Sequence, residues 1–291
     1  MYNEFRKAMR SVVLAPAKVN LHLAVGEKRG DGFHSIESVF ARTDLCDELE
    51  VEIAESGIAD VQVRGLEGLC EPGKDTMSKA AGIWMRKSGR TVRLLIRCTK
   101  RIPAQAGLGG GSSDAASLLL LLDSLYPMGQ GMLREVAAEV GSDVPFFLSR
   151  SRVAWVTGRG ERVEPIEGVR PLYGALVMPA ALKCSTKEAY EALDRLARPA
   201  PPAKSLVLEA LRLGSASYGR VLRNDFFAVV KTNQPYGSLI RAADGLVGYG
   251  ALSGSGSCWF FVSEEKTFVD SYIARLGEKD AGRFRSWFVQ I

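Results

Sequence analysis

Lys100-Arg-Ile-Pro-Ala-Gln-Ala-Gly-Leu-Gly-Gly-Gly-Ser-Ser-Asp-Ala-Ala-Ser-Leu-Leu-Leu-Leu-Leu122 decides how the rest of this chain is read. It leaves the end of a predicted strand, passes a loop with glycine at 107, 109, 110 and 111, and enters an apolar helix over Ala115 to Leu122. Glycines permit positive φ and let the backbone approach another group with no Cβ in the way. Ser112, Ser113 or Asp114 is suited to cap the helix. The first helical amides then lack intrahelical partners and sit at the positive end of the dipole, which makes an anion site, with phosphate the obvious anion. The two hydroxyls that end the loop suit a phosphate or a Mg²⁺ oxygen shell. The bland alternative is a flexible loop before a buried helix. No Gly-x-x-x-x-Gly-Lys-Ser/Thr occurs, and Gly107-x-Gly109 lacks the dinucleotide spacing with an acidic residue beyond it, so a third kind of phosphate loop is required.

The chain has 291 residues, enough for one or two domains with a sizeable core. Apolar residues at 46% and charged residues at 24% are ordinary globular values. A net charge of +5 is mildly basic and favours small polyanionic ligands. The Lys and Arg are scattered with no run of five, which argues against a nucleic-acid arm. Cys46, Cys70, Cys98, Cys184 and Cys258 are odd in number and contain no Cys-x-x-Cys pair; with His22 and His34 alone beside them, a structural zinc site is not expected. Reduced thiols in a cytosol fit best. Ser11 to Leu14 is too short for a signal peptide and Ala115 to Leu122 too short to span a bilayer, so the expectation is a soluble, cytoplasmic protein.

Residues 1–10 read as an N-terminal extension. In Leu14 to Val25, Val19, Leu21, Leu23 and Val25 alternate with Lys18, Asn20, His22 and Ala24, the pattern of a half-buried strand with Lys18 and Asn20 on one face. Lys28 to His34 is a turn by composition, and its Phe33-His34 pair could stack on and hydrogen-bond a flat ring. Ser35 to Arg42 reads as extended. Leu49 to Ile53 and Val61 to Arg64 alternate across a Gly57 turn and suggest a hairpin. Asp75 to Met85 reads as a helix capped near Asp75, Val92 to Cys98 as a strand, and Leu133 to Val140 as a helix stopped by Gly141. Asp143 precedes Pro145 in a tight segment, where an aspartate is usually a cap but could serve as a general base if it faces the loop.

Val153–Val156 and Arg162–Val163 flank a hairpin turn, and a composition shift near Glu167 to Pro171 marks a candidate boundary. The order beyond it is a strand (Gly174 to Met178), a helix (Thr186 to Leu196), a proline-rich connector, and helices near 204–213, 217–231 and 236–244. A strand (Ser257 to Val262), a helix with Phe268, Val269, Tyr272, Ile273 and Leu276 on one face, and a strand (Trp287 to Ile291) follow. This mixture predicts an α+β unit with helices on one face of an antiparallel sheet. Gly250 to Cys258 is a second glycine segment that permits close backbone approach.

Pro16-Ala-Lys-Val-Asn-Leu21, Asp31-Gly-Phe-His34, Ile102 to Ala116, Gly141-Ser-Asp-Val-Pro145, Gly158-Arg-Gly-Glu161, Asn224-Asp225 and Leu252-Ser-Gly-Ser-Gly256 together resemble the GHMP kinase superfamily. Their order is that of the branch whose acceptor is 4-diphosphocytidyl-2-C-methyl-D-erythritol, and the resemblance covers nearly everything after residue 10. It implies a two-domain α+β architecture, with a ribosomal-S5-domain-2-like ATP-binding domain over 11–168, a ferredoxin-like domain over 169–291, and a cleft between them. It also implies ATP-dependent phosphorylation of the 2-hydroxyl of that cytidyl diphosphate substrate, in non-mevalonate isoprenoid precursor synthesis, by a monomer or weak homodimer that uses Mg²⁺.

Carried over residue by residue, Asp143 matches the catalytic base and Lys18 the catalytic lysine. Pro103, Ala104, Gln105, Ala106, Gly107, Leu108, Gly109, Gly110, Gly111, Ser112 and Ser113 match the ATP phosphate loop, with Ser112 or Ser113 near Mg²⁺. Lys100 and Thr76 fall in the adenine region. Asn20 orients the substrate, Phe33 and His34 hold the cytosine, and Tyr190 falls at the second aromatic of that sandwich. Two departures are Phe33, where the family more often has Tyr, and Thr76, where an Asn is usual; the second puts the adenine-edge contact in question. A homoserine or mevalonate kinase is the nearest alternative, against which the Asp31–His34 turn argues. A non-catalytic sensor or RNA-binding module is another, against which Lys18 and Asp143 argue.

Overall fold

In the computed structural model, residues 8–180, 185–230, 234–279 and 283–291 are described. Cys184, most of the predicted extension and the last residue of the predicted 217–231 helix lie outside them. The chain forms two compact units: residues 1–17, 45–104 and 109–150, and residues 18–44, 105–108 and 151–291. Neither is a single run of chain. Strands β1 (Met9–Lys28) and β2 (His34–Glu55) each begin in one unit and end in the other.

In the first unit β3 (Asp60–Arg64), α1 (Thr76–Ser88), β4 (Val92–Thr99), α2 (Gly110–Leu125), α3 (Gln130–Val140) and α4 (Val144–Ser149) follow in chain order. Residues 48–55 of β2 pair antiparallel with β4. The predicted hairpin of 49–53 with 61–64 does not form: β3 pairs parallel with β4, Val61 opposite Leu94. β3 therefore lies on the far side of β4 from β2 and is joined to β4 by a crossover through α1, and turn composition at Gly57 does not distinguish this route from a hairpin. Helix α1 begins as predicted, Asp75 Oδ1 accepting the Ser78 amide at 2.8 Å, and buries Met77, Ala80, Ala81 and Trp84. It packs on α2 and α3, and α2 packs on α4. Gly141 caps α3.

In the second unit β5 (Val153–Gly158) pairs antiparallel with residues 36–41 of β2 and with β6 (Arg162–Pro165), the predicted hairpin. After β7 (Tyr173–Pro179) come α5 (Thr186–Leu193), α6 (Lys204–Leu213), α7 (Ser215–Val221), α8 (Phe227–Val230), α9 (Gln234–Ala242), β8 (Tyr249–Leu252), β9 (Trp259–Ser263), α10 (Lys266–Lys279) and β10 (Phe284–Gln290). Their sheet runs β10-β7-β9-β8, antiparallel throughout, and α10 packs on β7 and β9. This is the predicted α+β arrangement.

Two expectations fail in this unit. The helix expected over 217–231 is broken, because residues 223–225 pair with β1 instead: the Leu23 amide donates to the Arg223 carbonyl at 2.8 Å and the Asp225 amide to the Leu23 carbonyl at 2.9 Å. Asp225 Oδ2 also accepts the Val25 amide at 2.8 Å, while Asn224 Nδ2 donates to the Leu252 and Gly254 carbonyls, so the Asn-Asp pair spends its side-chain groups on backbone outside a helix. Residues 249–252 form a strand where sequence suggested a glycine loop, because small residues pack closely here: a Cβ on Gly250 would lie 2.8 Å from the Trp259 ring.

Candidate functional site

The glycine loop leaves β4 and opens α2. Helix α2 begins at Gly110, earlier than a serine or aspartate cap implies, with Gly109 as the N-cap at φ 71° and no side-chain capping bond. Ser112, Ser113 and Asp114 therefore lie inside the helix, a correction to their expected capping role. Gly109 meets a left-handed backbone requirement that a side chain resists. The Ser113 amide already donates to the Gly109 carbonyl at 2.9 Å, so the amides of Gly110, Gly111 and Ser112 are the first turn's helical orphans. Pro103 and Ala104 lead toward this turn in the same unit. The Thr76 hydroxyl donates to the Gly111 carbonyl at 2.6 Å, so it braces the loop. Ser113 Oγ is buried without a hydrogen-bond partner among the described residues.

The loop tip, Gln105 to Leu108, belongs to the second unit. Gly107 has φ 76°, and a Cβ there would lie 2.0 Å from the Ser253 carbonyl oxygen. Ser253 Oγ donates to the Gly107 carbonyl at 2.8 Å and the Cys258 amide to the Ala106 carbonyl at 3.2 Å. The Lys18 amide donates to the Leu108 carbonyl at 3.0 Å. The two glycine segments thus meet backbone to backbone, which explains why both are made of small residues.

Lys18 and Asn20 are not half-exposed as alternation predicts. Lys18, Asn20 and His22 are all buried, the lysine 3% exposed. Burial of polar groups requires partners, and β1 supplies them. Lys18 Nζ donates to Asn20 Oδ1 at 2.6 Å and lies 4.6 Å from the Phe40 ring centroid. Asn20 Oδ1 also accepts the Gly254 amide at 2.8 Å, and its Nδ2 donates to Ser38 Oγ at 3.0 Å. Ser38 in turn donates to the His22 carbonyl. His22 accepts the Arg223 amide at Nδ1 and stacks against Trp155, and burial followed by the Arg223 charge lowers its pKa to about 4. Ser38, Asn224 and Gly254 went unrecognised in sequence as partners of this polar strand; the Asn224-Asp225 pair inside an otherwise helical run was the signal for one of them.

Asp143 is half-buried at the start of α4 and its side chain does not cap that helix. The short α4 starts instead with Pro145 in its first turn. The usual reason for an aspartate in that position is thus absent.

On the turn, Phe33 is 51% exposed and the Arg159 guanidinium lies 4.8 Å from its ring centroid. His34 is buried, with Nε2 2.8 Å from Asp194 Oδ1 and its ring stacked on Tyr190 at 4.9 Å and 19°. Tyr190 meets Phe226 edge-on at 4.8 Å. The predicted group of Phe33, His34 and Tyr190 therefore contains a direct His34–Tyr190 stack, and Asp194 joins it unannounced by any sequence pattern.

Lys100 has a different setting from that expected of an exposed base contact. Its Nζ donates to Asp47 and, at 2.8 Å, to Asp114 Oδ2. Burial pulls its pKa down, but Asp114 and Asp47 hold it above the ordinary value. Burial pushes Asp114 up to about 7 against the pull of Lys100, with Asp47 adding to the rise. Among the described residues no group of three or more His, Cys, Asp or Glu could hold a metal ion. The fitting donors are hydroxyls: Ser113 with its orphaned Oγ, and the neighbouring Ser112. Among the described residues no helix is long and apolar enough to cross a membrane.

The family pattern described as GHMP kinases N terminal domain matches residues 75–151. A 4-diphosphocytidyl-2-C-methyl-D-erythritol kinase of Anaeromyxobacter dehalogenans is 40% identical over 265 residues, covering 87% of this chain and 81% of that protein. One of Treponema pallidum (strain Nichols) is 43% identical over 196 residues, covering 65% of this chain and 64% of that protein, just under two thirds of its length. The solved structure titled 4-(cytidine 5'-diphospho)-2C-methyl-D-erythritol kinase superposes with a TM-score of 0.72 at 32% identity, covering 96% of this chain and 98% of the other.

Proposed function

This chain belongs to the 4-diphosphocytidyl-2-C-methyl-D-erythritol kinase family of GHMP kinases, and we propose that it phosphorylates the 2-hydroxyl of 4-diphosphocytidyl-2-C-methyl-D-erythritol with ATP. The observation that carries this reading to the chemistry is the buried Lys18 ammonium, fixed on Asn20 Oδ1 at 2.6 Å. A buried lysine is retained at a strand centre at a cost in desolvation, and phosphoryl transfer is a reaction that needs such a fixed positive charge.

In this reading Asp143 accepts the proton of the acceptor hydroxyl while Lys18 offsets charge on the transferring group. Asn20 does two things: it holds Lys18, and it orients the acceptor alcohol. The orphan amides of α2 cradle the ATP phosphates, and Gly107 allows the tip to sit against residue 253. Ser112 or Ser113 would supply a hydroxyl to the shell of a Mg²⁺ ion, which when bound would neutralise phosphate charge. Thr76 and Lys100 stand on the adenine side. Phe33 stacks on the cytosine, His34 hydrogen-bonds it, and Tyr190 is the second aromatic of that sandwich. Residues 11–168 act as the ATP-binding domain and 169–291 as the second. The protein works in the cytoplasm as a monomer or weak homodimer, in the non-mevalonate route to isoprenoid precursors.

Asp143→Asn tests the base assignment. Its turnover number falls about a hundredfold to a thousandfold, while the affinity for ATP, measured by equilibrium binding, is unchanged. Turnover at the wild-type rate removes Asp143 from that role.

A further inference from the structure

The cluster beneath the glycine loop is not accounted for by a lysine that reads adenine. The Lys100 ammonium is shared by two carboxylates whose side chains are 0% and 3% exposed, Asp47 and Asp114. Asp47 reaches further: its Oδ1 accepts the amides of Arg101 and Ile102 at 2.6 and 2.8 Å, where the chain leaves β4 for the loop. Asp114 stands one turn into α2, where the chain leaves the loop, and its Oδ1 is buried with no hydrogen-bond partner among the described residues. A Cβ on Gly110 would lie 3.3 Å from Lys100 Nζ and 3.4 Å from Asp47 Oδ2. The cluster is therefore directly against the first turn of α2, the turn with the orphan amides.

Two of the three ammonium hydrogens are committed to these carboxylates, and moving the side chain off them to a nucleobase leaves Asp114 a buried charge with no counter-ion. We propose that Lys100 is a positioning residue: with Asp47 and Asp114 it ties the entry of the glycine loop to its exit and offsets two carboxylates under the anion site. The proposal rests on the loop being a nucleotide-phosphate cradle. Its consequence is independence from the base. Without Lys100 the loop loses its tie, and the charge of Asp47 is left uncompensated beneath any polyphosphate, while Asp114, already raised by burial, takes up a proton.

Inorganic tripolyphosphate, which has no base, is the discriminating probe beside ATP. Lys100→Met weakens both by the same factor, about a hundredfold, and Lys100→Arg retains most of the affinity for both. Lys100→Met with Asp47→Asn recovers about tenfold for both ligands, because the uncompensated carboxylate is gone. Asp114→Asn alone, which keeps the shape of the side chain, tightens both ligands alike and serves if Lys100→Met does not fold. A loss confined to ATP, or a double variant no better than Lys100→Met, overturns the proposal and returns Lys100 to the base. A wild-type protein that binds neither ATP nor tripolyphosphate is a different failure, since it removes the phosphate-cradle reading and the proposal with it.

Discussion

In the proposed function, the glycine loop and the Asp31–His34 turn are two solutions to holding a ligand. The loop is set by backbone: a left-handed Gly109, a helix start at Gly110, a threonine on the Gly111 carbonyl, and a buried ion cluster under the first turn. The turn is set by side chains: an exposed Phe33 beside Arg159, and His34 held by one carboxylate and one ring. Backbone amides bind any phosphate and discriminate little, whereas side chains bind one base and can be exchanged one at a time. On the proposed roles, rigidity goes with the part of the ligand that every nucleotide shares, and specificity with the part that differs.

Breaking the backbone side has the largest effect. Gly107→Val puts a branched side chain at φ 76° with its Cβ 2.0 Å from the Ser253 carbonyl. The expected loss of stability is about 2–4 kcal/mol, read by urea denaturation, with a raised KM for ATP. A fully stable variant would show that the two glycine segments part freely. On the turn, His34→Ala raises KM for the cytidyl substrate by about tenfold and leaves KM for ATP unchanged in steady-state kinetics. A change confined to ATP places the turn on the wrong ligand and reverses the comparison.

The smallest effect sharpens the contrast through pH. His22, lowered to about 4 from 6.5, is neutral when folded, so the stability it contributes is complete above pH 6.5 and is lost as pH falls toward 4. Asp114, raised to about 7 from 3.8, runs the other way: the folded state binds the extra proton, so stability declines as pH rises from about 4 to 7 and then levels. Protection factors of β1 amides, taken against the intrinsic exchange rate at each pH, should fall on acidification and those of α2 amides on alkalinisation. His22→Gln and Asp114→Asn each flatten one slope, and slopes that survive both substitutions contradict the assignment.

The loop was legible because its chemistry is local: glycines, hydroxyls and a helix start lie within a dozen residues. The α+β order was legible from periodicity, as were Asp75 at its cap and the β5–β6 hairpin. Pairing partners were not, since alternation in Val61 to Arg64 reports a strand and not whether its neighbour is parallel. Nor does alternation report what covers the second face. Alternation puts Lys18 and Asn20 on one face of a half-buried strand, and the groups that bury that face, Ser38, Gly254 and Phe40, are each distant in sequence. The same distance hid Asp47 from Lys100 and Asp194 from His34. Charged partners brought together by tertiary pairing leave no spacing in the chain.

Acceptor choice is the central claim, and ADP release coupled to each candidate acceptor measures it most directly. ADP release with 4-diphosphocytidyl-2-C-methyl-D-erythritol should proceed at a rate that saturates with both substrates, with none above background for homoserine or mevalonate. Turnover of homoserine or mevalonate, with the cytidyl compound inert, would contradict it.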